Sequence, residues 1–115
     1  MSGSSERAKQ MLGDMLDNAE KALRYYGEMG KGWRDDEKTI DAILRRIGNL
    51  GEAAKRMPVA ERANYVQINW REIIGMRDRV IHRYDDVDLN ILGEVLREDL
   101  PELIGQLRQH GIASS

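Results

Sequence analysis

Three residues that could do chemistry together, Arg77, Asp78 and His82, lie within six consecutive positions. On a helix that advances about 100° per residue, Arg77 lies near the middle of an apolar stripe. An unpaired arginine that faces a core is costly, so a partner or a ligand should receive it. Asp78 and His82 are four residues apart, close enough on a helix for a carboxylate to orient an imidazole. This combination predicts an anion-handling site. The stripe comprises Trp70, Ile73, Ile74, Val80, Ile81 and Tyr84.

Each of these residues also has a purely structural interpretation. Arg77 could snorkel out of the core or pair with a buried acid. His82 could stand at a helix C-terminus and interact with the helix dipole, and Tyr84 could be a core residue with its hydroxyl at the rim. These interpretations weaken when the residues are taken together, because all of them share one short segment.

Composition limits the classes of protein to consider. The chain has 115 residues, 41% hydrophobic and 33% charged, as expected for a single globular domain over residues 1–115. Without cysteines it has no disulfide or thiolate metal site, and two histidines are too few for a zinc site. We therefore expect no metal and no cofactor. No apolar run is long enough to span a membrane and no signal peptide is recognisable, so we expect a cytoplasmic protein.

Charge is balanced overall but not locally. The net charge of −2 argues against a protein that coats nucleic acid. The segment from Arg71 to Arg83 nevertheless carries four arginines against two acidic residues. This local basic cluster makes Arg71, Arg79 and Arg83 candidates for contacts with a polyanion.

Apolar residues recur at three- and four-residue steps, which predicts an all-α, up-and-down antiparallel bundle of four to five helices. The first helix should end at the glycines from Gly27 onward, and the second should begin near Asp36 and stop at Pro58. The third should begin near Trp70, after a capping Asn69, and fray at His82 to Tyr84. The last region, residues 89–107, should kink or split at Pro101, with Asp99 capping its second half. Residues 1–5 and 111–115 should be frayed tails.

Three blocks of the sequence resemble the HEPN-domain proteins of the HepT-like toxin group. The group's signature of arginine, four residues, histidine, one residue and tyrosine is matched by Arg77, His82 and Tyr84. The segment 47–56 resembles its Gly-Glu-Ala-Ala-Lys element, and the segment 99–103 also fits. The signature departs in two places: Asp78 stands where asparagine is common, and Arg83 stands where a small residue is common.

The resemblance implies a metal-independent endoribonuclease, the toxin of a type VII-like toxin–antitoxin pair. Arg77 and His82 would be catalytic, supported by Asp78, and the 2′-hydroxyl of RNA would attack the adjacent phosphate. A homodimer would bring two such sites together at one cleft. The antitoxin would be a cognate minimal nucleotidyltransferase that transfers AMP to Tyr84.

Two alternatives remain open at this stage. HEPN domains also occur as non-catalytic subunits that bind nucleotides or proteins and partner a nucleotidyltransferase. The chain could also be a purely structural dimeric bundle with Arg77 sealed against an acid. The ribonuclease interpretation requires an accessible Arg77 and His82, whereas the structural one requires a buried ion pair.

Overall fold

The computed structural model describes residues 5–83 and 86–114, and the regular elements in these ranges are all helical. The predicted all-α class is therefore confirmed. Residues 1–4 and 115 of the expected frayed tails lie outside the described residues. The helices are α1 (Glu6–Met29), α2 (Glu37–Arg56), α3 (Val59–Arg62), α4 (Trp70–Ile74), α5 (Met76–Val80), α6 (Leu89–Glu94) and α7 (Leu100–Gln109), with a 3₁₀ turn at Gly30–Asp35 and a π-helical turn at Val95–Asp99.

The two long helices α1 and α2 form an antiparallel hairpin through the 3₁₀ turn. The side chain of Ser5 caps α1 by accepting a hydrogen bond from the Ala8 N–H, and Asp36 caps α2 in the same way. Gly30 ends α1 with φ +65°, a conformation that favours glycine. Trp33 in the turn is buried, with its ring edge-on to Tyr26 at a centroid distance of 5.7 Å, and it anchors the corner.

The remaining helices cover the two sides of this hairpin. Helices α4 and α5 pack against α2, α7 packs against α1, and α6 contacts α5. Every helix except α3, which has no buried residue, contributes apolar side chains, and their burial makes one continuous core. The largest fully buried side chains are Leu12, Met15, Leu16, Ile43, Ile47, Leu50, Met57, Met76, Leu92, Leu96, Leu100 and Leu103.

The third helical region begins where the sequence predicts but is broken in the middle. Asn69 caps it by accepting a hydrogen bond from the Glu72 N–H. The prediction of a single helix that frays at residues 82–84 is wrong, because the helix breaks at Gly75 (φ −91°, ψ 4°) and ends at Val80. Glycine has a low helix propensity, and its N–H here also bonds to the carbonyl of Ile73. His82 therefore lies beyond the helix.

The expected irregularity at Pro101 is present, in the form of a π-helical turn. A proline ring clashes with the carbonyl four residues before it, here that of Arg97, and a wider turn relieves the clash. The helix therefore continues through Asp99 (φ −68°, ψ −46°), which makes no capping hydrogen bond. The prediction that Asp99 caps a separate helix is wrong. Its carboxylate instead pairs with Arg79 of α5.

Candidate functional site

A short antiparallel turn after α5 places the histidine. The Asp88 N–H bonds to the Val80 carbonyl at 2.8 Å, and the His82 N–H bonds to the Asp86 carbonyl at 3.0 Å. Between these bonds, Ile81 and Val87 form an isolated bridge and pack against the core. Because side chains alternate in extended chain, His82 and Asp88 lie on the opposite face as diagonal neighbours.

The side chains of His82 and Asp88 contact each other across this turn. The Nε2 atom of His82 lies 3.3 Å from Oδ2 of Asp88. The other carboxylate oxygen, Oδ1, accepts hydrogen bonds from the N–H groups of Asn90 and Ile91 at 3.0 Å each and so caps α6. The prediction that Asp78 orients His82 is wrong, because α5 ends at Val80 and the two residues no longer share a helix face. Asp78 is exposed.

The contacts of Asp88 favour its charged form. The backbone hydrogen bond from Ile91 and the hydrogen bond with His82 lower the pKa of Asp88 below its ordinary value of 3.8, and the Asn90 N–H adds to this effect. A carboxylate whose pKa is lower in the folded than in the unfolded state stabilises the fold above the unfolded pKa. That stabilisation is lost as the pH falls through the folded pKa.

The lowered pKa of Asp88 predicts how the free energy of unfolding depends on pH. We expect Asp88→Asn to lower the free energy of unfolding at neutral pH, because the asparagine keeps the cap but loses the charge. The difference from the wild type should shrink once the pH falls below 3.8. Urea denaturation of the wild type and of Asp88→Asn, at about six pH values between pH 7 and pH 2.5, measures this difference. A difference that stays constant over this range would refute the assignment.

Arg77 is exposed rather than buried in the stripe. Among the described residues of this chain no carboxylate lies within ion-pair distance of it, so these residues form no sealed ion pair with Arg77. Its stem packs over Gly48 of α2, where a Cβ atom would lie 3.3 Å from Cδ of Arg77. The prediction that Arg77 faces the core from an apolar stripe is wrong. Helix α5 has only five residues, and the side chain of Arg77 lies over α2 and lines a groove instead.

Arg77 lines an open groove of about 880 Å³ between α2, the 3₁₀ turn and the loop that carries the histidine. The groove floor is apolar, with Ile40, Leu44 and Ile81 among its residues. Its rim carries both signs of charge. The cations are Arg34, Arg45 and Arg77, and the acids are Asp35, Glu37, Asp41 and Asp86.

The other candidate residues have different environments. Arg71 and Arg83 are exposed, whereas Arg79 is held in its ion pair with Asp99. Tyr84, the expected acceptor of AMP, lies outside the described residues. Within residues 5–83 and 86–114, no group of three or more histidine, aspartate or glutamate side chains could hold a metal ion. No helix in these ranges is long and apolar enough to cross a membrane.

Gly48 provides a way to disturb Arg77 without touching it. We expect Gly48→Ala to raise the free energy of unfolding by about 0.5–1 kcal/mol, because alanine is the better helix former and the exposed arginine can move. We expect any RNA cleavage to fall about three- to tenfold, since Arg77 is displaced by a few tenths of an ångström. Denaturation and cleavage rates are compared with Gly105→Ala, where a Cβ would meet nothing within 4 Å. Equal cleavage by the two variants would show that the packing of Arg77 on Gly48 is unimportant.

Sequence reasoning missed Asp88 as the partner of the histidine. The signal was present, because Asp88 directly precedes the apolar spacing of Leu89, Leu92 and Leu96 and is thus a natural N-cap. The alternation of Ile81 and Val87 around a polar segment also predicts a tight antiparallel turn. Together these signals would have placed Asp88 near His82.

Comparisons with known proteins agree in relating this chain to ribonucleases. A family model described as "Ribonuclease HepT-like" matches residues 15–110. A protein of Thermococcus cleftensis named "Probable ribonuclease HepT" is 38% identical over 74 residues, which are 64% of this chain and 67% of that protein. A Methanocaldococcus jannaschii protein named as a "Putative RNase" is 31% identical over 96 residues, 83% of each chain.

A larger Methanocaldococcus jannaschii protein, named as a "Gamma-glutamylcyclotransferase and putative RNase", is 44% identical over 63 residues. That match covers 55% of this chain but only 28% of the larger protein, so it concerns one part of it. Comparison with solved structures gives no significant match. The family model spans most of the chain, including Arg77 and His82. This chain therefore belongs to the ribonuclease HepT-like family.

Proposed function

We propose that this chain is a metal-independent endoribonuclease of the HEPN type and the toxin of a type VII-like toxin–antitoxin pair. The observation that carries the proposal is that Arg77 and His82 are both exposed: Arg77 lines the groove, and Asp88 holds His82 on the other face of the adjoining turn, outside the groove lining of a single chain. Membership of the ribonuclease HepT-like family supports RNA as the substrate. The protein would act in the cytoplasm.

The chemistry requires a base, an acid and a cation. The base removes the proton from a 2′-hydroxyl, the 2′-oxygen bonds to the adjacent phosphorus, and the bond from phosphorus to the 5′-oxygen breaks. The acid gives a proton to that leaving 5′-oxygen. A histidine suits both proton transfers, and each is worth about 10²–10⁴-fold in rate. Arg77 would stabilise the phosphorane charge through paired N–H donors.

One chain supplies a single histidine at this site, so the second would come from another copy. The groove supports such a pairing, because a rim that carries both signs of charge can be complementary to itself across a two-fold axis. In the dimer, Arg77 and His82 of both chains would converge. The exposed Arg71 and Arg83 would contact RNA phosphates on either side, and Arg79 would be a weaker contributor because Asp99 already holds it.

The proposed dimer can be tested with a matched pair of charge reversals. We expect light scattering to give a dimer, or a multiple of it, at micromolar concentration. Asp41→Lys in the groove should weaken the assembly, whereas Glu98→Lys, an exposed acid on the π turn outside the groove, should not. A stable monomer at micromolar concentration would contradict the composite site.

The antitoxin would be a minimal nucleotidyltransferase that attaches AMP to Tyr84. The proposal as a whole is tested by expressing the chain alone and as His82→Ala, while growth and total RNA are followed. Growth arrest with RNA fragmentation by the wild type only would support a toxic ribonuclease. Equal growth and intact RNA with both chains would contradict it.

A further inference from the structure

Asp88 is the one described carboxylate that contacts the proposed catalytic histidine, and its two oxygens have separate partners. Oδ1 is occupied by the N–H groups of Asn90 and Ile91, so the carboxylate cannot rotate without uncapping α6. Oδ2 is thereby directed at Nε2 of His82, 3.3 Å away. The carboxylate is about one-third exposed and the histidine about half exposed, so the outer face of the imidazole is open to a substrate.

The chemistry of this contact fixes which ring nitrogen carries the proton. An ionised carboxylate has only acceptor sites, so a neutral imidazole can bond to it only as the Nε2–H donor. An aspartate with the ordinary pKa is already ionised at neutral pH, and the hydrogen bonds that Asp88 receives lower its pKa further. The second nitrogen, Nδ1, has no hydrogen-bond partner among the described residues.

We propose that Asp88 is a positioning residue that holds neutral His82 as the Nε2–H tautomer and so makes Nδ1 the nitrogen that exchanges protons with RNA. The inference rests on the proposed ribonuclease function. In the cleavage step, Nδ1 takes the 2′-hydroxyl proton while the 2′-oxygen bonds to phosphorus. The imidazolium that forms is stabilised by the Asp88 carboxylate at Nε2. In the second histidine of the dimer, Nδ1 gives its proton to the 5′-oxygen.

The other charged groups near the histidine do not compete for this role. Arg79 on α5 is engaged by Asp99 of the π turn, and Asp78 lies on the helix that ends before His82. Arg83 and Asp86 flank the turn with exposed side chains, and the contact of Asp86 with His82 is made by its backbone carbonyl. Among the described residues, Asp88 is thus the acid positioned to select the tautomer.

The decisive variant is Asp88→Asn, because it should reverse the tautomer. The N–H groups of Asn90 and Ile91 need an acceptor, so the amide oxygen of asparagine faces them and its NH₂ group faces His82. Nε2 must then accept, which moves the ring proton to Nδ1. With the proton on the wrong nitrogen, we expect kcat for RNA cleavage to fall about 10²–10⁴-fold with little change in KM.

The experiment is long-range ¹H–¹⁵N correlation spectroscopy of the histidine rings of the full chain, at about pH 8, where a histidine is largely neutral. A His110→Gln variant assigns the signals of the two histidines. We expect the Nε2–H pattern in the wild type, the Nδ1–H pattern in Asp88→Asn, and the wild-type pattern in Asp78→Asn. Glu94→Gln, an exposed acid of α6, is the matched control and should change neither the pattern nor cleavage.

Each outcome decides the inference. An Nδ1–H pattern in the wild type, an unchanged pattern in Asp88→Asn, or a reversal in Asp78→Asn would overturn it. If Asp88→Asn fails to fold, Asp88→Ser keeps an N-cap but cannot reach the ring, and it should lose the tautomer preference. The ring spectra do not depend on catalysis. If the wild type shows the expected pattern but no cleavage of RNA, the proposed function and the catalytic part of the inference both fail, while the positioning by Asp88 stands.

Discussion

We expect His82→Ala and Arg77→Ala each to lower the rate of RNA cleavage by about 10²–10⁴-fold. The histidine variant loses the group that transfers the proton, and the arginine variant loses the cation that stabilises the phosphorane. Both side chains are exposed, so the free energy of unfolding should change by no more than about 0.5 kcal/mol. Because Arg77 is exposed, Arg77→Ala removes no buried charge and should not stabilise the fold. Cleavage of a labelled RNA and urea denaturation measure the two effects.

The control for these variants is Arg108→Ala. It removes an exposed arginine near the C-terminal end of α7 that pairs with Glu20 of α1. It changes the net charge as Arg77→Ala does, but it should cleave at the wild-type rate. If Arg77→Ala or His82→Ala cleaved as fast as Arg108→Ala, the assignment of the catalytic pair would be wrong.

The second large effect concerns silencing by AMP. We expect co-expression with the cognate nucleotidyltransferase to add about 329 Da to the chain for each AMP transferred to Tyr84, and to abolish cleavage. Tyr84 follows His82 by two positions in the sequence. A phosphodiester attached there would carry negative charge and could pair with Arg77 in place of the RNA backbone. Intact mass spectrometry and cleavage assays measure the two outcomes.

Tyr84→Phe should remain unmodified and active in the presence of the nucleotidyltransferase. Tyr25→Phe, which removes a partly buried hydroxyl on α1, is the matched control and should be modified and silenced as the wild type is. A chain that is neutralised without gaining mass would show that the partner silences the site by occlusion, which would contradict the AMP mechanism.

The fold was predictable because its signals are local. The apolar spacing of α1 and α2, the cap at Asn69 and the proline at position 101 each act within a few residues, and each is found in the structure. The break at Gly75 was not predicted, since a single glycine is often tolerated in a helix. In the structure the carbonyl oxygens of Ile73 and Ile74, just before the break, lie close to Gly51 of α2.

The site was less predictable because its geometry depends on where a helix ends. The pairing of Asp78 with His82 holds only if α5 continues for another turn, and it ends at Val80. The chain then reverses, and the backbone bonds of the turn bring Asp88 to the histidine from six residues away. Arg77 was placed in the core because the stripe alone does not show that Gly48 lets its side chain pass over α2.

The central claim is that Arg77 and His82 cleave RNA through its own 2′-hydroxyl without a metal ion. The most direct measurement is analysis of the ends produced when the purified chain cuts a defined RNA in excess chelator. We expect 2′,3′-cyclic phosphate and 5′-hydroxyl ends, because the 2′-oxygen bonds to phosphorus as the 5′-oxygen leaves. Cleavage that stops in the chelator, or that leaves 5′-phosphate ends, would contradict the claim.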